Sequence, residues 1–289
     1  GEIDSNVQPS TSVHLRRDHR HAGSVVVRIG FLLVARGIEH LAEISFLVQQ
    51  AHAHQRYPQV TRRFEVIAGK DASMQRDYWY TVARDANDLE PAGQVGRRAA
   101  LRAVRRLGAR KLSTRQTPVL YEAPVASSLL SHFVGAIRGT SLYRQASFLL
   151  NQLGKPVFAP TVRLYEQPHL KKGLGSAPFD NEGVATRERD IVRGGVLLSY
   201  LLDSYSARKL GMKTTGNAGG VHNLTIETGA DDFAAMLKKM HTGLLVTELI
   251  GFGVNTVTGD YSRGAAGFWV ENGEIQFPVE EVTIAGNMR

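Results

Sequence analysis

No cysteine occurs among the 289 residues. That excludes disulfides, thiolate catalysis and cysteine-ligated zinc within this chain, and it suits a reducing compartment. Long hydrophobic runs are missing as well. No stretch reaches the roughly 18 apolar residues that a membrane-spanning helix needs, and the best candidate, residues 25–35, is interrupted by Arg28. The first residues carry acids and no apolar core of the kind a secretory signal uses. These absences predict a cytoplasmic protein without a membrane partner. Metal-ligand spacing is also lacking. The ten histidines stand at 14, 19, 21, 40, 52, 54, 132, 169, 222 and 241, and none forms a His-Glu-x-x-His motif or a His-x-x-x-His pair beside a glutamate. His52 and His54 are close together in an irregular stretch with no carboxylate partner. His132 stands alone on an apolar segment and reads as a core or interface histidine held by one hydrogen bond.

What is present is a hydrophobic content of 43%, enough for a large core and two domains. The net charge of +8 is concentrated in the first 115 residues, with 19 Lys/Arg against 11 Asp/Glu, whereas residues 116–289 hold 16 of each. Much of the excess lies in Arg97, Arg98, Arg102, Arg105, Arg106 and Arg110. A nucleic-acid footprint is one reading of that cluster. A solvated helix face is the favoured one, because Leu101, Val104 and Leu107 form an apolar stripe opposite the arginines and no aromatic residues interleave with them.

Periodicity organises the chain unevenly. Residues 1–63 mix Arg, His, Gln and Val, with one amphipathic helix expected over residues 38–50. From Phe64 the pattern sharpens. Tyr78, Tyr80 and Val82 alternate with Trp79, Thr81 and Ala83 as in a strand. Helices are expected at 96–107, at 126–137 (apolar almost all round, hence buried) and at 231–240, where paired aspartates favour the N-terminus. Strands are expected at 118–121 and 162–165, followed by a loop over 168–183 and a hairpin at Gly194-Gly195. A second hairpin is signalled at Asn272-Gly273, two residues that tolerate the positive φ of a type I′ turn. The fold class is therefore α+β, in three parts: residues 1–63, residues 64–115 completing an N-terminal α/β part, and a β-rich domain over 116–289.

Candidate chemistry is sparse. Ser206 and Lys209 match Ser-x-x-Lys, but Lys213-Thr214-Thr215-Gly216 follows too closely to supply the opposing strand of a penicillin-binding site. Gly251-Phe252-Gly253 and the glycines at 216, 219 and 220 lack the strand–loop–helix setting and lysine of a phosphate loop. They read instead as tight turns or as close backbone approach to a bound peptide. The loop Thr258-Gly259-Asp260-Tyr261-Ser262-Arg263-Gly264 is either a recognition element or a turn in which Asp260 and Arg263 brace each other.

Six segments in order, RDYWYTVAR (76–84), RLGARKLSTRQTPVLYEAPVASSLL (106–130), LYRQASFLLNQLGKPVF (142–158), SAPFDNEGV (176–184), SYSARKLGMKTTGNAGG (204–220) and GDYSRGAAGFWVENGEIQFPVEEVTIAG (259–286), resemble the TldD/PmbA family. The match is to its PmbA (TldE) branch, also described as a modulator of DNA gyrase. The resemblance implies an N-terminal α/β domain and a C-terminal domain of curved antiparallel β-sheets with a buried helix. It also implies one subunit of a metallopeptidase heterodimer that acts on unfolded or leader-type peptides.

In the TldD branch a His-Glu-x-x-x-His helix binds zinc, with a further cysteine ligand near the C-terminus. On this sequence Ser131 and Ala136 fall at the imidazole positions and His132 at the carboxylate position. The resemblance therefore implies no catalytic residue and no cofactor in this chain, with zinc expected in a TldD-type partner. Its part would be to shape the cleft and hold peptide, by strand addition along residues 251–267. The candidate peptide contacts are Gly251, Gly253, Asn255, Thr258, Asp260, Tyr261 and Arg263. The sequence departs from the family pattern in two places. Residues 1–63 are short and His/Arg-rich, and the family continues about forty residues beyond Gly286. The chain thus reads as a fragment or divergent product with an unpaired sheet edge. The alternative function is a gyrase- or DNA-associated regulatory binding protein, although nucleic acid is not the expected partner.

Overall fold

The computed structural model describes residues 57–289, and before them the strands β1 (Ser12–Leu15), β2 (Val27–Gly30), β3 (Leu32–Leu33), β4 (Ala42–Glu43) and β5 (Leu47–His54). The chain divides into two compact units, Gly1–Ala109 and Arg110–Arg289. The helix expected over 38–50 is not formed in its described residues. Ala42–Glu43 and Leu47–His54 are extended, and the latter pairs antiparallel with β6 (Tyr57–Ala68) residue for residue. Cross-strand pairing outweighs a weak helical stripe there. His52 and His54 accordingly lie in a strand. The rest of that expected helix lies outside the described residues.

The first unit centres on the antiparallel sheet β5–β6–β7, with β7 spanning Gln75–Ala83, and on helix α1 (Ala92–Arg105). Alternation along β6 sends Phe64, Val66 and Ala68 to one face, where they pack against Val95, Ala99 and Ala103 of α1. The buried stripe of α1 is thus Val95–Ala99–Ala103, with Val104 and Leu107 at its margin, and Leu101 is exposed. Small residues let helix and sheet approach closely, which a search for large apolar residues overlooks. Several α1 arginines are engaged at home. Arg102 Nε donates to Asp77 Oδ1 at 3.0 Å, Arg106 lies 3.7 Å from the same carboxylate, and the guanidinium groups of Arg98 and Arg102 stack over Trp79.

The second unit holds two four-stranded sheets. One has the order β11–β10–β9–β12, built from β9 (Leu164–Glu166), β10 (Arg189–Arg193), β11 (Val196–Leu197) and β12 (Leu224–Ile226), all antiparallel. The other has the order β15–β14–β13–β8, built from β8 (Val119–Tyr121), β13 (Gly243–Ile250), β14 (Asp260–Glu271) and β15 (Glu274–Asn287). Its pairs are antiparallel except β8–β13, which is parallel. The β14–β15 turn has φ of 54° at Asn272 and 76° at Gly273, as the type I′ signal predicts. Bulges at Val246/Glu248 and at Ala265/Gly267 bend this sheet.

The connecting helices are α2 (Ala123–Ala136), α3 (Gly139–Tyr143), α4 (Ser204–Lys209) and α5 (Phe233–Met240). Leu244, Val246, Ala265 and Trp269 face one side of the β15–β8 sheet, with Val125 of α2 against them. Leu245, Phe268 and Val270 face the other side, covered by Leu237 and Met240 of α5. Helix α2 is not buried all round. Ala123, Pro124, Ser127 and Ser131 are exposed, while Phe133 and Ala136 enter the central core with Leu142, Leu164, Ile191 and Leu202. No described helix is long and apolar enough to cross a membrane.

Candidate functional site

Strand β8 runs into α2 through Glu122, whose N–H donates to the Val246 carbonyl at 2.9 Å. The junction fixes α2 beside the start of β14. The serines of α2 turn back on their own helix: Ser127 Oγ donates to the Pro124 carbonyl at 2.7 Å and Ser131 Oγ to the Ser127 carbonyl at 3.0 Å. At the next position the His132 ring stands edge-on to Tyr261 at 6.4 Å between centroids. Its Nε2 is buried without a partner among the described residues, so the hydrogen bond expected for this histidine is not made there. Burial, and then the charge of Arg263, hold its pKa below the ordinary imidazole value, which favours the neutral ring.

The seven residues singled out from the sequence separate into two groups. Gly253, Asn255 and Asp260 line an open depression of about 550 Å³ together with Val254, Thr256 and Ser262. Within this loop Asn255 Oδ1 accepts from Val257 N at 2.9 Å, and Gly259 N donates to the Asn255 carbonyl at 2.8 Å. Asp260 does not brace Arg263. Its carboxylate accepts from Thr258 Oγ1 at 2.6 Å and from Asn287 Nδ2 at 2.8 Å, tying the loop to the end of β15. Those two donors hold its pKa down. Arg289 adds to the same effect. Gly251 takes φ of 77°, Phe252 beside it is fully exposed, and Ile250 and Val257 are exposed as well. Tyr261 and Arg263 alternate with Asp260 and Ser262 along β14, so they face the other side, toward His132 and Tyr121.

The glycines here serve the chain's own packing. A Cβ on Gly253 would overlap the Ser262 carbonyl, and one on Gly267 would overlap that of Leu245. Strand β14 is flanked by β13 and β15 on its two edges, so its ladder groups are already used and strand addition along it is closed. Ser206 is no nucleophile in waiting. It is buried at the start of α4 and donates to the Asp203 carboxylate at 2.6 Å as part of the helix cap.

A polar cluster that sequence reading did not find lies in the other sheet. Glu166, with a fully buried side chain, accepts from Asn217 Nδ2 at 2.8 Å, His222 N at 2.6 Å and Arg189 Nε at 3.1 Å. Asp180 likewise accepts from the backbone of Glu182, Val184 and Ala218, each at 2.9 Å. These carboxylates pin the loops 176–184 and 216–223 and form a scaffold. Among the described residues, no group of three or more His, Cys, Asp or Glu side chains could hold a metal ion. At the helix positions where zinc ligation would require imidazoles and a carboxylate, the chain offers Ser131, His132 and Ala136, a set that does not fit the ion.

Comparison with known proteins places this geometry. Residues 114–289 match the PmbA/TldA metallopeptidase C-terminal domain, and residues 51–107 match the central domain of the same family. The chain is 55% identical over 224 residues to metalloprotease PmbA of Escherichia coli O157:H7, covering 78% of this chain and 50% of that protein. It is 51% identical over 225 residues to the PmbA homologue of Haemophilus influenzae, with the same two shares. The chain thus spans about half the length of the curated relatives it matches. Among solved structures, a candidate modulator of DNA gyrase from Thermotoga maritima superposes with a TM-score of 0.74 at 33% identity, covering 91% of this chain and 59% of that one. One from Bacteroides thetaiotaomicron gives 0.76 at 29% identity, covering 93% and 60%. TldE from Thermococcus kodakarensis shares the fold at a TM-score of 0.70 and 22% identity, covering 80% and 55%. From its motifs, its two sheets and these matches, the chain belongs to the PmbA/TldD metallopeptidase family.

Proposed function

We propose that this chain is a PmbA (TldE)-type subunit that pairs with a zinc-bearing TldD-type subunit, holds unfolded or leader peptide in the shared cleft, and leaves hydrolysis to its partner. The observation that carries this reading is the donor chemistry of α2. Alanine at 136 has no lone pair to offer. The Ser131 hydroxyl is spent on its own helix, and His132 is turned toward Tyr261 and Arg263. A helix that presents one neutral imidazole beside a guanidinium repels a cation. The exposed Ile250, Phe252 and Val257 around the glycine turn supply an apolar contact surface for a partner or peptide. Arg98, Arg102 and Arg106 are paired within their own unit, which counts against the DNA-binding alternative.

The test is reconstitution. The chain and a TldD-type subunit, purified separately, are each incubated with an unstructured peptide and then combined. Cleavage by the combination should exceed that of either alone by at least about tenfold, equivalent to roughly 1.4 kcal/mol of activation free energy. Cleavage by this chain alone, or a partner rate indifferent to its presence, would contradict the proposal.

A further inference from the structure

Between α2 and the first residues of β14 lies a set of buried polar side-chain atoms without partners of good geometry. Tyr261 is 5% exposed, and its hydroxyl makes no hydrogen bond of good geometry although the Tyr121 phenol lies beside it. Arg263 Nε is buried without a partner. His132 Nε2 is buried without a partner on the facing helix. Three chain elements are thus spent on bringing two phenols, an imidazole and a guanidinium together: β8 carries Tyr121, α2 carries His132, and the alternation of β14 puts Tyr261 and Arg263 on one face.

Buried polar atoms left unpaired cost about 1–3 kcal/mol each. Such an arrangement is tolerated where it serves a ligand of complementary chemistry. The set holds one formal positive charge and no acid. Burial pushes the Tyr121 phenol up, so it stays protonated and able to donate. The complement is a planar anion with two acceptor oxygens, which a guanidinium fork and flanking hydroxyls grip best.

We infer that Tyr121, His132, Tyr261 and Arg263 form a receptor for a carboxylate of the bound peptide. This deepens the peptide-holding role proposed above and rests on it. The carboxylate comes from the peptide C-terminus or from an aspartate or glutamate side chain, and Arg263 supplies the charge while the phenols and imidazole fix its orientation.

Three forms of one unstructured peptide separate the possibilities: free C-terminal carboxylate, C-terminal amide, and amide with one internal aspartate. Binding is measured by calorimetry to this chain, alone and with a TldD-type subunit. The acid-bearing form should bind at least about tenfold tighter than the plain amide, the return on one charge-assisted hydrogen bond. Which of the two acid forms gains identifies the source. The gain should disappear in Arg263→Gln and shrink severalfold in Tyr261→Phe. Because the Tyr261 hydroxyl has only the Tyr121 phenol beside it and no hydrogen bond of good geometry in the free protein, Tyr261→Phe should change the melting temperature little, which a larger structural role for that hydroxyl would not allow. Equal binding of all three forms, or a preference that survives both variants, overturns the carboxylate receptor while peptide holding stands. No binding by any form overturns both.

Discussion

Glu166→Ala should destabilise the second unit by about 3–5 kcal/mol, the loss typical of removing one partner from a buried charge network. A domain's whole stability is about 5–15 kcal/mol, so the variant should be recovered largely insoluble or protease-sensitive. The reason is local. Glu166 has no exposed side-chain surface, and the donors from Arg189, Asn217 and the His222 backbone all converge on its two oxygens. Glu166→Gln keeps the shape but turns one acceptor into a donor and removes the charge that Arg189 needs, so it should fall between wild type and alanine.

A pH dependence follows with a definite sign. Burial alone would raise the Glu166 pKa, but the hydrogen bonds from His222 and the Arg189 guanidinium outweigh it and hold the carboxyl below its ordinary 4.5. A group depressed in the folded state contributes stability above its unfolded pKa and loses it as pH falls through the folded value. Urea unfolding should therefore show wild type weakening below about pH 4.5, with Glu166→Gln losing less over the same interval. Equal acid sensitivity of the two proteins would contradict a charged Glu166 in the folded state.

Gly267→Ala is the second large effect, at about 3 kcal/mol, the upper end of the usual overpacking range. An added Cβ would overlap the Leu245 carbonyl oxygen and lie 2.9 Å from its carbon and 3.0 Å from Val246 Cα. All three are backbone atoms in the β13–β14 ladder, so relief requires parting the two strands beside the Val246/Glu248 bulge. At roughly 2–4 °C per kcal/mol for a unit of this size, the melting temperature should drop by about 6–12 °C. Gly286→Ala is the control. It sits in β15 with nothing within 4 Å of its added carbon, and it should stay within about 0.5 kcal/mol of wild type. Similar losses at the two positions would point to a general intolerance of alanine rather than to the close approach at Gly267.

The parts of the fold that sequence reading captured are those governed by neighbours in the chain. The Asn272-Gly273 turn, the strand through Tyr78–Val82 and the Asp232-capped helix α5 each depend on residues within a few positions of one another. Misreadings arose where distant residues decide. The apparent helical stripe in 38–50 gave way to pairing with β6 in its described part. Asp260 found Asn287, 27 positions away, in place of nearby Arg263. The Glu166 scaffold draws on residues up to 56 positions away, and its strand is only three residues long. The donors facing His132 come from Tyr121, Tyr261 and Arg263, which only the β8–β13–β14 arrangement brings together. Sequence left 258–264 open between a recognition element and a braced turn, and it could not say that alternate residues serve opposite faces of the sheet.

Zinc content decides the division of labour most directly. The isolated chain is saturated with zinc and exchanged into metal-free buffer. It is then measured by inductively coupled plasma mass spectrometry beside a complex with a TldD-type subunit. The chain alone should retain far less than one zinc per molecule, and the complex about one per pair. One equivalent held by the isolated chain, and lost in His132→Ala, would make this the metal-bearing subunit and contradict the role proposed for it.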